Sequence, residues 1–233
     1  MFEFYNECLK NKSQFYRFKE IEEHRKKLFR SDELIHITDL GAGSLVNKNK
    51  SRSVKDIAKN SLKQPFLAQQ LYRIVNFLKP QNLIEIGTSL GITTSYLASP
   101  YPSSSVFTLE GCQNSANVAK KTFQSLNFDN IKVVEGDFKA TLPDLINKMD
   151  SVDFVYFDGN HQYEPTIEYF RLCKQKKNEN TCFIFDDIYW SKGMKKAWLE
   201  IQADQDVKIS IDTFYFGICF FRTNQPKQHF VLK

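Results

Sequence analysis

The chain changes rhythm after Pro80, and that change limits its fold more than any other feature. Short apolar runs occur at Leu83–Gly87, Ser105–Glu110, Ile131–Glu135, Val152–Asp158 and Cys182–Asp186. Between and after them lie stretches with helical period: Ile92–Ala98, Asn114–Leu126, Leu142–Met149, Thr166–Gln175 and Gly193–Gln202. Alternation of this kind builds βαβ units, and therefore a parallel sheet with helices on both faces. The tail breaks the pattern. Val207–Phe214 and Gly217–Arg222 read as strands with no room for a helix between them. They predict an antiparallel hairpin at the sheet edge, which Phe230–Leu232 is placed to extend. The expected architecture is α/β: a doubly wound, seven-stranded, mostly parallel sheet with a C-terminal antiparallel hairpin.

The first part of the chain reads differently. Phe2, Tyr5, Leu9, Phe15, Phe18, Ile21 and Leu28 recur at roughly helical spacing and predict an N-terminal helical extension. Residues 38–53, TDLGAGSLVNKNKSRS, read as a loop placed to act as a lid. Its glycines look at first like a nucleotide loop, but the polar, basic residues that follow cannot begin a packed crossover helix. Val54–Leu78 returns to helical period, with Pro65 suited to the first turn of a second helix. The chain thus divides into an extension, 1–53, and a main domain, 54–233. The extension is expected to shape ligand choice or to form a homodimer contact.

Composition narrows the class. Apolar residues at 42% and charged residues at 25% match a globular domain and argue against disorder or collagen. No apolar run approaches the ~18 residues of a membrane span. The start, MFEFYNECLKNK, lacks the cationic region of a secretory signal. The five cysteines are scattered with no C-x-x-C pair, which suits reduced thiols in a cytoplasm better than disulfides or zinc. A net charge of +5 is mild, and with no basic stripe tied to a binding motif it does not favour nucleic acid as a partner.

In open parallel sheets, ligands bind beyond the carboxyl ends of the strands. Only nine glycines are present, and five of them, Gly87, Gly91, Gly111, Gly136 and Gly159, fall at or just past successive strand ends. After the first strand comes Glu85-Ile86-Gly87-Thr88-Ser89-Leu90-Gly91, where backbone N–H groups and a helix start can face a ligand; a plain tight turn is the other reading. Glu110 ends the second strand, 19 residues beyond Gly91, where a carboxylate can accept both hydroxyl protons of a ribose. Asp137 follows the third strand, with Phe138 as an apolar wall; capping of the next helix is its alternative role. Asp158, Asp186 and Asp187 end adjacent strands. Crowded carboxylates repel unless neutralised, and a divalent cation such as Mg²⁺ would neutralise them; helix capping and backbone hydrogen bonds are the alternative. His161 and Tyr163 lie on the Asp158 loop, and the histidine is a candidate proton acceptor. Tyr189 and Trp190 follow the fifth strand and could line a pocket or pack in the core.

These residues together resemble the class I S-adenosylmethionine-dependent methyltransferases, and within them the catechol O-methyltransferase-like group and methyltransferase family 24. The resemblance covers about residues 54–222. It implies a Rossmann-like fold with S-adenosylmethionine as cofactor. Glu85, Gly87, Thr88, Ser89 and Gly91 would hold the methionine end, together with Asp158. Glu110 would bind the ribose, and Asp137 with Phe138 the adenine. It further implies O-methylation of a small-molecule acceptor, with His161 and Asp158 catalytic and a divalent cation on Asp158, Asp186 and Asp187. Two positions depart from the metal-dependent members. Asp187 stands where an asparagine is usual, and His161 where a lysine base is usual.

Two other readings compete. One is a cofactor-binding or interaction module without catalysis. The other is a dinucleotide oxidoreductase, although the G-x-G-x-x-G spacing is absent and the chain ends in a hairpin.

Overall fold

The computed structural model describes residues 1–38 and 51–232. The chain opens with α1 (Phe2–Phe4), continued by a π-helical turn over Tyr5–Lys10, and α2 (Tyr16–Leu28). Two short strands follow, β1 (Leu34–His36) and β2 (Ser51–Ser53), paired antiparallel. The helices α3 (Val54–Ser61) and α4 (Pro65–Leu78) lead into the main sheet, and Pro65 begins α4 as expected. The alternating part runs β3 (Asn82–Ile86), α5 (Ile92–Ala98), β4 (Ser105–Glu110), α6 (Gln113–Ser125), β5 (Ile131–Glu135), α7 (Phe138–Asn147) and β6 (Val152–Phe157). It continues with α8 (Tyr163–Lys174), β7 (Lys177–Asp186) and α9 (Lys192–Ala203), then β8 (Ile209–Asp212), β9 (Phe216–Phe220) and β10 (Gln228–Val231).

The strand order is β10-β8-β9-β7-β6-β3-β4-β5. The sheet has eight strands, not the expected seven, because β10 pairs parallel with β8 and becomes the edge. The hairpin is present: β9 joins β7 antiparallel and β8 joins β9 antiparallel. The β1–β2 pair departs from the sequence expectation, since Ser51–Ser53 is strand and not loop. Several helices begin earlier than their periodicity suggested. The Asp137 side chain accepts from Lys139 N, which starts α7 at Phe138, four residues before Leu142.

The central strands are apolar at nearly every position because both faces are covered. Ile84, Ile86, Val155, Phe157, Phe183 and Phe185 fill one core, under α7, α8 and α9. Leu83, Phe154, Tyr156, Cys182 and Ile184 fill the other, with Leu71 and Val75 of α4. The N-terminal extension packs into the same body. Phe4 and Cys8 join the second core, and Phe18, Ile21 and Leu28 of α2 pack with Tyr72 and Tyr96. All five cysteines are free and buried. Among the described residues no helix is long and apolar enough to cross a membrane.

Candidate functional site

β3 pairs with β4 on one side and β6 on the other, so the direction of winding reverses at β3. The crevice of an open sheet lies at that reversal. A cavity of about 1340 Å³ opens there, lined by Gly87, Ser89, Glu110, Asp137, Phe138, Asp158, His161 and Asp187 among others. Single small-ligand pockets run ~300–1,000 Å³, so this one has room for two molecules side by side.

The loop after β3 forms the cavity floor. Gly87 has φ 105°, and a Cβ there would lie 2.6 Å from the Asp158 carbonyl oxygen. Only glycine lets the β3 and β6 loops approach this closely, and Asp158 N donates to Ile86 O at 2.9 Å. Gly91 precedes α5 with φ 84°, and its missing side chain makes room for the Phe123 ring. The amides of Gly87 and Thr88 donate to Leu109 O on β4. The same loop holds Glu110: Ser89 N donates to its Oε2 at 2.8 Å and Cys112 N to its Oε1 at 2.9 Å. Burial raises the Glu110 pKa, and those backbone N–H groups oppose the rise. The result is a carboxylate oriented on the cavity wall.

Glu85 has a different place from the one expected. It is fully buried and does not line the cavity. Its Oε2 accepts from the hydroxyls of Thr94 and of Thr108, the latter at 2.6 Å, while Oε1 has no partner. It braces β3 against β4 and α5, behind the loop. Thr88 is buried as well, with its hydroxyl on Thr108 and Leu109 O. Asp137 both caps α7 and lines the cavity beside Phe138, so its two readings coexist.

Burial pushes the Glu85 carboxyl up to about 8, against the pull of the two threonine hydroxyls. The folded chain then keeps a proton that the unfolded chain, with its ordinary value of 4.5, has released. Glu85 thus contributes stability below pH ~4.5 that is lost as the pH rises through about 8. Glu85→Gln has no such proton to lose. We expect the Tm of the wild type to fall from pH 5 to pH 8 more than that of Glu85→Gln. Equal pH slopes in the two proteins would refute a protonated Glu85.

Beyond β6 and β7 the acids gather, but not as three equivalent ligands. Asp158 Oδ1 lies 3.6 Å from His161 Nε2. Donor atoms of Asp158, His161 and Asp186 lie within 4.8 Å of one another. Asp187 stands outside that group, on the cavity wall, with its amide donating to Tyr215 O. Burial and the Asp158 charge push the Asp186 carboxyl up, and the Lys63 ammonium bonded to it pulls it back. Asp187 is raised by burial and by Asp186. Burial lowers the His161 pKa, and Lys63 adds to the fall, against the pull of Asp186 and Asp187.

One residue of this cluster escaped the sequence reading. Lys63, between α3 and α4, places its ammonium against Asp186 Oδ2 and 3.7 Å from Asp158 Oδ1. Burial opposes its charge, but Asp158, Asp186 and Asp187 outweigh that and raise its pKa. A lone lysine in a polar linker, 123 residues from its partner, gives no local signal. Tyr163 and Trp190 line the cavity, whereas Tyr189 turns its hydroxyl to Asp212. Most of TDLGAGS lies outside the described residues. The neighbours that are described, Ile37, Thr38 and Arg52, line the cavity.

The model of a methyltransferase domain family matches residues 84–188, which run from β3 to just past β7. An uncharacterised protein of Acanthamoeba polyphaga mimivirus is 32% identical over 91 residues, 38% of this chain. The match spans 41% of that relative's length. Among solved structures, an O-methyltransferase from Bacillus cereus in complex with SAH superposes with a TM-score of 0.65 at 16% identity, covering 94% of this chain and 96% of the other. An SAH-bound methyltransferase of Podospora anserina gives 0.69 at 13% identity, covering 93% and 92%. The fold is the one that these solved methyltransferases share.

Proposed function

We propose that this chain transfers a methyl group from S-adenosylmethionine to an oxygen of a small-molecule acceptor. The observation that carries the reading is Glu110. Its carboxylate is fixed by two loop amides at the end of β4, beside the glycine that lets the β3 loop close on Asp158. A ribose needs such an acceptor, and the close backbone approach at Gly87 leaves a cradle for the methionine end. Asp137 and Phe138 continue the wall toward the adenine. The SAH-bound relatives support the same cofactor.

When bound, the cofactor supplies a methyl on a positively charged sulfur, which departs with the bonding electron pair. The chain's own work is positioning and proton management. The neutral His161 imidazole takes the acceptor's hydroxyl proton, so that the oxygen lone pair is free to form the new C–O bond. Asp158, 3.6 Å away, steadies the imidazolium that results. The cavity has room for donor and acceptor together. Residues 54–233 carry the cofactor half. Ile37, Thr38 and Arg52 of the extension, 1–53, also line the cavity, with Thr38 N donating to Cys112 Sγ near Glu110. The buried thiols fit a reducing cytoplasm.

Calorimetric titration with S-adenosylmethionine and with NAD tests the reading. One-to-one binding of the first and none of the second is expected. Binding of NAD alone would replace this function with the oxidoreductase one.

A further inference from the structure

The acidic residues expected to hold a divalent cation already hold one charge of their own. The Lys63 side chain is only 11% exposed, and its ammonium bonds to Asp186, whose side chain is fully buried. The same ammonium lies 3.7 Å from Asp158, and Asp158 lies 3.6 Å from His161. Lys63 thus touches both Asp186 and Asp158, and Asp158, His161 and Asp186 keep their donor atoms within 4.8 Å of one another.

This lysine is held in place from behind. Its carbonyl accepts from Arg25 Nη1 at 2.8 Å. Arg25 is itself buried and bonded through Nε to Glu22, which also accepts from the Tyr96 hydroxyl. Pro65 fixes the backbone two residues on, at the start of α4. Such anchoring suits a side chain with a set position better than a mobile surface lysine.

A divalent cation does not fit this arrangement. The donor atoms that could bind it are those of Asp158, His161 and Asp186, and two of the three residues already face the ammonium. A cation among them would stand within a few ångströms of a second positive charge. At ~4 Å that repulsion is substantial even with an effective dielectric near 20, and it is greater for a double charge.

We propose that the Lys63 ammonium is the resident cation of the acceptor site, in the place of a divalent metal. It keeps Asp158 and Asp186 together at the sheet end. Lying on the cavity wall, it also offers positive charge to the acceptor oxygen as His161 removes the proton. The role in transfer rests on the methyltransferase reading; the occupancy of the acidic cluster does not.

The test is a titration of the full chain with Mn²⁺, followed by electron paramagnetic resonance of free Mn²⁺, beside Lys63→Met and Lys63→Arg. The wild type and Lys63→Arg should bind no Mn²⁺ at 1 mM, roughly the upper end of useful site affinities. Lys63→Met removes the competing charge, and its affinity should rise at least ~10-fold. One-to-one binding below 1 mM by the wild type would overturn the proposal. So would a folded Lys63→Met that binds no better than the wild type. Should Lys63→Met not fold, the wild type and Lys63→Arg decide it, since Mn²⁺ binding by either contradicts an occupied site. Titrating the same samples with S-adenosylmethionine keeps the two readings apart. Loss of cofactor binding in the wild type would sink the function and leave the cation result standing.

Discussion

Replacing His161 with glutamine is expected to lower kcat for a phenolic acceptor ~10²–10⁴-fold, the usual contribution of a positioned general base. Glutamine keeps a hydrogen-bonding side chain of similar reach but cannot take up a proton. Cofactor affinity should change less than ~3-fold, because no cofactor contact is assigned to the imidazole. The pH profile carries the second half of the prediction. Burial lowers the His161 pKa below its ordinary 6.5, so the base is already free at neutral pH. Wild-type kcat should therefore climb from acid pH and level off before pH 7. In the glutamine variant the remaining rate should lose that acid limb. Turnover over a panel of small phenols, from pH 5 to pH 9, reads both effects. An unchanged kcat would remove His161 from the chemistry. A lowered kcat with the acid limb intact would make it a positioning residue only.

Much of the cavity wall at the strand ends was legible in the sequence, and the reason is physical. β3, β4, β6 and β7 are covered on both faces, so their apolar runs stand out. Gly87 sits directly after one of those runs, Glu110 ends another and Asp137 follows the half-exposed β5, and all three line the cavity. Residues whose role depends on distant packing were not legible in this way. Glu85 lies two residues before Gly87, but the alternation of side chains along β3 turns it inward, to Thr94 and Thr108, and away from the cavity. Lys63 reaches Asp186 only because α3 and α4 fold over the sheet end. The eighth strand, β10, is a short polar-edged run whose parallel pairing to β8 has no counterpart in local pattern. The β1–β2 pair is three residues long on each side and lies across the segment read as loop.

The acidic cluster shows the same division. The crowding of Asp158, Asp186 and Asp187 was visible from their strand ends, and so was the need for a neutralising charge. Which charge answers that need was not visible, since a lysine in an interhelical linker has no fixed spacing from the strands. The arrangement joins one buried carboxylate to one cavity-facing carboxylate through an ammonium. Removing one member of a buried pair leaves the other uncompensated, which is why the paired substitutions above include a charge-conserving one.

Glu110→Ala carries the other large effect, and it falls on the cofactor. Two backbone amides, of Ser89 and Cys112, orient the carboxylate, so little freedom is lost when a ligand hydroxyl donates to it. Hydrogen bonds to a charged group contribute about 1.5–3 kcal/mol each, and a ribose offers two. Water recovers part of that in the variant, so a loss of ~3 kcal/mol, or roughly 100-fold in affinity, is expected. Alanine also leaves both amides without their partner, which loosens the β3 loop and adds to the loss. Glu110→Gln retains the shape and should fall between the two. The direct measurement is calorimetric titration of wild type and Glu110→Ala with S-adenosylmethionine at one pH and one temperature. The account predicts one-to-one binding by the wild type, weakened ~100-fold in the variant. Equal affinities for the two proteins would contradict it.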